Sequence, residues 1–467
     1  MTPLIPQPPE QTERPSQLFR LARIREGEAS GVLLSALFFF LLLFGYFLIR
    51  PVREAMGVER SMGDLRALFI TTCVLSLGVT LLFGSAVSRL DRSRFIPIAM
   101  RVVIACLVGF AAWRLLHREN LGVWSGYVFY VWLSIINLFM VSVFWAFMVD
   151  VFSLEQSKRL FPAIAIGGTV GALLGSAFAW QLADRIGPVG QMLLAAGCFE
   201  LAVHTMKAID RRSIREAKHS ASSTPNQHEQ GSTIGGGWID GASAILRSPY
   251  LIAIGCWIVL MAVSSTLIYF TQARLVTDAA DELEERIALF AQLDMWTQLA
   301  TLLVQAFLTA RLIRWLGVGG TLAILPIVTV LGFAGLALAA SSDSIEAWQL
   351  FAVFAVFNAL HRATRYAVSR PARETLFAVV PRAEKYKAKP VVDVFLYRGG
   401  DVAGTGVDAL LASAAIGLTG MAMAAAPLAA LWGGLSLWLA MAQRRRAHTE
   451  SPGSLSPTPP AHTGAHP

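Results

Sequence analysis

The chain alternates between long apolar blocks and short polar connections. Each block holds about 20 mostly apolar residues, which is the length that a helix needs to cross the roughly 30 Å hydrocarbon core of a bilayer. Barrel strands would instead show about ten residues of alternating polarity. The blocks therefore predict an all-α membrane protein with twelve transmembrane helices, at about 30–49, 67–86, 95–115, 122–148, 161–182, 188–206, 249–271, 289–312, 319–340, 347–367, 391–415 and 418–441.

One long polar segment separates the sixth block from the seventh, so the blocks fall into two sets of six. Basic residues concentrate in the loops on one side, which the positive-inside rule places in the cytoplasm together with both ends of the chain. We predict five regions: a cytoplasmic tail at 1–28, a six-helix bundle at 29–206, a partly disordered cytoplasmic linker at 207–248, a second six-helix bundle at 249–442 and a disordered cytoplasmic tail at 443–467.

Composition favours lipid rather than water as the surroundings of the chain. Hydrophobic residues make up 55% of it and charged residues 15%, against about 45–50% and about 25% in soluble domains. The net charge of +8 is spread over short loops, which argues against a nucleic-acid partner. The four cysteines lie in apolar blocks without metal-ligand spacing, so we predict no metal and no cofactor. Arginine far outnumbers lysine, which indicates a GC-rich bacterium and its inner membrane.

The two halves repeat one motif. Basic residues and a proline precede the fifth and the eleventh block, and each block then carries glycines four residues apart. These glycines are Gly167, Gly171 and Gly175 in the fifth block and Gly400 and Gly404 in the eleventh. Small residues at this spacing give a helix a smooth face, which lets a second helix approach closely. We expect both faces to pack against other helices, with contact to a bound solute as the alternative.

Ionisable residues inside the blocks are the candidates for function. Each costs about 2.5–3.5 kcal/mol on insertion, so it must face a cavity, pair with another charge or reach the membrane surface. They are Arg50, Arg53 and Glu54 at the end of the first block, Asp294 in the eighth, Arg362 and Arg365 in the tenth, and Asp393, Arg398, Asp401 and Asp408 in the eleventh, which Lys387 and Lys389 precede. We expect Pro51 to kink or end the first helix and Pro371 to end the tenth. A cavity lining and a structural ion-pair network both remain open for these groups.

Three stretches of the chain carry motifs of one family. They run from Tyr46 to Glu54, from Phe144 to Pro162 and from Lys387 to Gly400. They resemble the motifs of the nucleotide transporter family typified by the ATP/ADP translocases of plastids and obligate intracellular bacteria, within the major facilitator superfamily. The resemblance implies two six-helix bundles and ATP/ADP-type antiport. Three positions depart from the pattern: Arg53 stands at the place of a lysine and keeps its charge, Asp401 stands at the place of another lysine and reverses the charge, and Ser134 stands at that of an acidic residue.

We therefore predict a secondary active transporter that moves an organic anion, such as a nucleotide or another phosphate ester, by alternating access. Charge-assisted hydrogen bonds to phosphate are strong, so basic residues are assigned to the anion: Arg50, Arg53, Lys158, Arg362, Arg365, Lys387 and Arg398. Asp294, Asp393 and Asp401 are assigned to charge pairing or to a coupling ion. The expected partners are the anionic solute and the lipid bilayer, with no obligate protein partner.

Two other functions stay open. One is proton-coupled symport or export of an unrelated solute, in which Asp294, Asp393 and Asp401 would be the leading candidates for the site. The other is a membrane sensor that does not transport. An enzyme is not predicted, because the sequence contains no nucleophile elbow, His-rich metal cluster or phosphate-binding glycine loop.

Overall fold

The computed structural model describes residue 25 and residues 28–59, 61–87, 92–116, 123–220, 238–342 and 344–449. Within these ranges the side chains of some helical residues, that of Lys158 among them, lie outside the description. Most of the predicted N-terminal tail, the middle of the predicted linker and the end of the predicted C-terminal tail also lie outside the described residues. Almost everything that is described is helical.

The first half of the chain is built from long helices: α1 (Ala29–Gly57), α2 (Met62–Val87), α3 (Arg92–Leu116), α4 (Val123–Val151) and α5 (Leu154–Ser220). α1 passes through Pro51 without ending. α5 is two helices that meet at Gly187, whose φ of 59° suits glycine because it has no Cβ atom. The second of these helices continues into the predicted linker as far as Ser220.

The second half begins with the short α6 (Trp238–Arg247) and contains two helices interrupted by π-helical segments. Its other continuous helices are α7 (Pro249–Ala279), α8 (Leu283–Phe307), α9 (Thr309–Ala340) and α14 (Leu418–Thr449). The interrupted paths are α10 (Ala347–Ala363), the π segment Thr364–Ser369 and α11 (Arg370–Leu376), then α12 (Arg382–Pro390), the π segment Val391–Leu396 and α13 (Tyr397–Ser413). The prediction that Pro371 ends the tenth helix is wrong. Pro371 occupies the first turn of α11, where the missing N–H of a proline is tolerated.

Eight helices in the described part of the chain are long and apolar enough to cross a membrane. The predicted blocks at 161–182 and 188–206 both fall inside one of them, Arg159–Ile214. The predicted blocks at 347–367, 391–415 and 418–441 are not among the eight. α10 and α13 have only 17 residues each, and each adjoins a π segment. A multi-span helical membrane protein is confirmed, and the count of twelve spans stays a prediction.

Glycines bring α1 and α5 into backbone contact. A Cβ atom added to any of three glycines of α5 would lie 2.3–2.5 Å from a carbonyl oxygen of α1; these are Gly167, Gly171 and Gly175, which face Ala36, Phe40 and Phe44. No side chain larger than a hydrogen atom fits at such a distance. The two helices therefore pack as one unit.

Glycines also allow α7 and α13 of the second half to pack closely. A Cβ atom on Gly400 would lie 3.0 Å from the carbonyl oxygen of Val259, and one on Gly404 would lie 3.0 Å from the Cα atom of Val263. The repeated glycine motif thus occupies the corresponding helix pair in each half.

An ion pair fastens the start of α1 to the start of α5. Arg159 donates to both carboxylate oxygens of Glu28, each at 2.7 Å. These hydrogen bonds lower the pKa of Glu28 to about 2. The pair therefore stays charged throughout the physiological range.

The variants Gly404→Val and Gly406→Val test the close packing of α13 on α7. Both place valine in the same helix, but a Cβ atom at 404 would lie 2.8 Å from the Cβ atom of Thr266, whereas nothing lies within 4 Å of one at 406. Overpacking costs about 1–3 kcal/mol, so we expect only the variant at 404 to unfold at a clearly lower temperature in detergent. Equal unfolding temperatures for the two variants would contradict this packing.

Candidate functional site

The helix bundle has two ends, which we name by the chain. The tail end is the one at which α1 begins, and the far end is the one at which α1 finishes, at Gly57. Successive long helices alternate in direction, so α7 runs from the tail end to the far end. Along α7, Trp257 and Met261 line a cavity, and Tyr269 and Arg274 then join an ion-pair network. The cavity therefore lies in the tail half of the bundle, and the network lies in the far half.

Glu54 on α1 is the first of three buried carboxylates in this far network, and it is 2% exposed. Tyr269 on α7 donates a hydrogen bond to it at 2.8 Å, and Arg53 forms an ion pair with it. The hydroxyl groups of Tyr130 on α4 and Tyr269 hydrogen-bond at 2.7 Å. Arg53 also donates to the hydroxyl of Ser134 at 3.1 Å. These contacts join α1 and α4 of the first half to α7 of the second.

Asp294 on α8 and Asp408 on α13 are the other two carboxylates, 2% and 0% exposed. Each binds two arginines, one from each half of the chain: Asp294 binds Arg50 at 2.5 Å and Arg362 at 3.1 Å, and Asp408 binds Arg66 at 2.9 Å and Arg274 at 2.5 Å. Removing one partner of a buried ion pair costs about 3–5 kcal/mol, because the other charge is left uncompensated. The far network thus ties the two halves together at the far end.

A cavity of about 510 Å³ lies on the tail side of this network. Its volume falls in the range of roughly 300–1,000 Å³ that is typical of small-molecule sites. Seven charged side chains line it: Arg365, Arg370, Arg373, Glu374, Lys389, Asp393 and Arg398. Its aromatic lining residues are Phe139, Trp257, Tyr366 and Tyr397. Basic groups outnumber acidic ones, so the cavity carries a positive potential.

The two π-helical segments lie in the cavity wall. Arg365 and Tyr366 belong to the first segment, and Asp393 belongs to the second. A π turn adds a residue to the helical turn and rotates the residues that follow it, and such turns are frequent at functional sites. Here they turn charged side chains of both helical paths toward the same space.

Aromatic rings hold Arg365 in place. Its guanidinium group lies 5.2 Å from the ring centre of Tyr366 and 5.4 Å from that of Tyr397, and it also donates a hydrogen bond to the Tyr397 hydroxyl. These partners are neutral, so Arg365 keeps its full charge toward the cavity. In the part of the chain that the structure describes, no carboxylate lies within ion-pairing distance of Arg365 or Arg370.

The residues assigned from the sequence fall into two places. Arg365, Asp393 and Arg398 line the cavity, and Asp401 sits behind Arg398 at 3.1 Å. The far network takes Arg50, Arg53, Arg362 and Asp294. Lys387 lies on α12 but is not in the cavity wall, where Lys389 stands instead. The side chain of Lys158 lies outside the described residues.

Several site residues escaped the sequence reasoning. The missed cavity residues are Arg370, Arg373 and Glu374, because the tenth block was expected to end at about 367 and its helix at Pro371. A regular helical period would not have identified Arg373 from Arg365 either, because the π segment Thr364–Ser369 lies between them. Arg66 and Arg274 were missed because each is the single basic residue of its helix, and no motif marks its partner.

The fold and its cavity define a class: a multi-span helical membrane protein that resembles the transporters of the major facilitator superfamily. The nucleoside transporter NupG superposes with a TM-score of 0.53 and 13% identity, covering 91% of this chain and 99% of that one. The POT family transporter PepTSo gives a TM-score of 0.57 and 12% identity, covering 90% and 98%. At these identities the likeness concerns the fold alone.

The sequence then assigns the family. Residues 112–444 match the model of the TLC ATP/ADP transporter family, and the chain belongs to that family. ADP,ATP carrier protein 1 of Chlamydia muridarum is 22% identical over 313 residues, which are 60% of this chain and 58% of the relative. The match thus spans less than two thirds of that relative's length. The family resemblance drawn from the three sequence stretches is confirmed.

Asp408→Asn is expected to loosen the far end, because it leaves Arg66 and Arg274 without their shared carboxylate. Phe69 on α2 stacks on Tyr269 beside this network, with ring centres 5.2 Å apart. In a background with all native cysteines replaced by alanine, a cysteine introduced by Phe69→Cys should therefore react faster with a membrane-impermeant thiol reagent from the far side. We expect at least a tenfold increase, since about 1.4 kcal/mol is enough for a factor of ten.

The control for this experiment is Asp278→Asn, which removes an exposed carboxylate at the far end of α7. It should leave the labelling rate unchanged. An Asp408→Asn protein that labels no faster than this control would show that the far network does not hold the two halves together.

Proposed function

We propose that the protein is a twelve-helix secondary transporter that binds an organic anion in the cavity and moves it by alternating access. A nucleotide or a related phosphate ester is the favoured substrate. The observation that carries the proposal is the pair Arg365 and Arg370. Both line the cavity, and among the described residues no carboxylate lies within ion-pairing distance of either. Membership of the TLC ATP/ADP transporter family supports the nucleotide.

The chemistry of the cavity fits an anion with an organic part. Arginine donates several hydrogen bonds in a planar fork that matches phosphate oxygens. Phe139, Tyr366 and Tyr397 offer ring surfaces to the remainder of the substrate. Charge-assisted hydrogen bonds contribute about 1.5–3 kcal/mol each. Two arginines therefore support binding at ordinary solute concentrations.

In this proposal the far network acts as the gate at the far end of the bundle. We assign Arg50, Arg53, Arg362 and Asp294 to closing the far end in the conformation seen here, rather than to first contact with the substrate. The cavity is then reached from the tail end, where Arg370 is exposed. A second conformation would exchange these contacts for others at the tail end and release the substrate on the far side.

The proposal includes the location of the protein and its orientation in the membrane. We place the protein in the inner membrane of a bacterium, with both termini and the segment 207–248 in the cytoplasm. The tail end then faces the cytoplasm, and the structure corresponds to an inward-facing state. The basic residues at the tail end, such as Arg159 and Arg444 to Arg446, agree with the positive-inside rule.

A second candidate function rests on Asp393. This carboxylate lines the cavity beside Arg373, at 3.1 Å. A carboxylate in that position can exchange a proton with the cavity, so transport coupled to a proton gradient is the alternative. Uptake driven by a pH gradient, with no need for a counter-substrate inside the vesicle, would favour it.

Arg365→Gln should weaken anion binding. Purified protein would be heated in detergent with nucleotides, sugar phosphates and dicarboxylates in turn. A ligand at a hundredfold excess over its Kd stabilises the folded state by about 2.7 kcal/mol, so the wild-type unfolding temperature should rise. Loss of one charge-assisted hydrogen bond should raise the Kd of the variant by about ten- to a hundredfold.

Arg185→Gln is the control, because Arg185 is an exposed arginine near Gly187, remote from the cavity lining. It should respond to ligands as the wild type does. If no organic anion stabilises the wild type, or if Arg365→Gln keeps the full response, the proposed function fails. Counterflow of the stabilising compound into proteoliposomes then tests transport itself.

A further inference from the structure

Two of the bases in the cavity wall are already neutralised by two carboxylates. Arg373 lies 3.1 Å from Asp393 and 3.2 Å from Glu374. Lys389 lies 2.5 Å from Glu374. These four side chains form a cluster without net charge. A bound anion would have to break these ion pairs before it could use either base.

Arg398 is neutralised as well, by Asp401 at 3.1 Å. Asp401 is 4% exposed and also accepts a hydrogen bond from Thr266 at 3.3 Å, so it is held in place behind the wall. The two remaining bases of the lining are Arg365 and Arg370. The described residues around the cavity therefore carry a surplus of two positive charges.

The far network has a positive surplus of its own, because five arginines share three carboxylates there, but these arginines lie outside the cavity wall. Arg50, Arg53 and Arg362 are bound to Glu54 and Asp294 in the far half and do not line the cavity. A substrate in the cavity thus meets two uncompensated arginines and a wall of neutral ion pairs.

The rest of the wall is apolar and aromatic. Phe139, Trp257, Met261 and Val394 contribute to it, and the volume is about 510 Å³. A small inorganic anion would leave these surfaces in contact with water. An anion with an organic group would cover them and gain the free energy of apolar burial.

We propose that the cavity selects an organic phosphate monoester in its dianionic form, such as a nucleoside or sugar monophosphate, over diphosphates and triphosphates. The inference rests on the proposed function and narrows it. A phosphate monoester carries close to two negative charges above pH 7, since its second pKa is about 6. Each further phosphate would bring negative charge that the cavity does not compensate, and an unpaired charge is costly in such a site.

The first experiment compares ligands on the wild-type protein. The Kd values of AMP, ADP, ATP, glucose 6-phosphate and inorganic phosphate would be measured at pH 8 by ligand-induced thermal stabilisation. We expect AMP to bind at least about tenfold more tightly than ADP or ATP. Inorganic phosphate should bind more weakly than the two monoesters, because it cannot cover the apolar wall.

The second experiment changes the charge of the cavity. Asp401→Asn keeps a hydrogen-bonding side chain of the same shape and releases Arg398, so the surplus rises to three. The ratio of AMP to ADP affinity should then shift toward ADP by about tenfold. Arg370→Gln lowers the surplus to one and should weaken AMP by about tenfold, and Arg370→Lys should restore most of the binding.

Asp278→Asn is the matched control for Asp401→Asn, since it removes an aspartate outside the cavity and should leave the affinity ratio unchanged. Tighter binding of ADP or ATP than of AMP by the wild type would overturn the inference and leave the proposed function in place. An unchanged ratio in Asp401→Asn, or inorganic phosphate binding as well as the esters, would also overturn it. If no phosphate compound or other organic anion binds, the proposed function itself fails.

Discussion

A charge inside an apolar helix bundle persists only if another charge or a dipole compensates it, and the rest of this structure depends on that constraint. Glu54, Asp294 and Asp408 are almost completely buried, and each is bonded to side chains from both halves of the chain. The need for compensation therefore fastens the two halves to each other at the far end. Because the carboxylates are shared across the boundary, the halves cannot separate there without leaving buried charges unpaired.

Close backbone packing holds helices together within each half, and ion pairs hold the two halves to each other. Gly171 in one half and Gly404 in the other allow helices to touch backbone to backbone, and such contacts change little once they are formed. The contacts between the halves are made by long side chains, which can exchange partners at moderate cost. In the proposed transport cycle the glycine-packed pairs α1–α5 and α7–α13 would move as units, and the arginine–carboxylate contacts would open and re-form.

The sequence predicts the parts of this structure that depend on local patterns. Apolar length indicates the spans, and glycine spacing indicates the packed faces, because both properties lie within one helix. The partners of a buried charge lie on other helices, so nothing near Arg66 in the sequence points to Asp408. The choice between Lys387 and Lys389 also escaped prediction. Two π segments alter which faces of the helical paths meet the cavity, and a regular period of 3.6 residues does not describe them.

The two departures from the family pattern that change a charge, at Ser134 and Asp401, can be explained by their contacts in the structure. Ser134 accepts a hydrogen bond from Arg53, which forms its ion pair with the neighbouring Glu54, so Arg53 keeps a polar contact at 134 although no acidic residue stands there. Asp401 compensates Arg398 in the cavity wall. A lysine at 401 would instead add its charge to that of Arg398 and raise the positive charge around the cavity by two units. One position on α13 can therefore match the same fold to anions of different charge, without any change to the packing of the helices or to the far network.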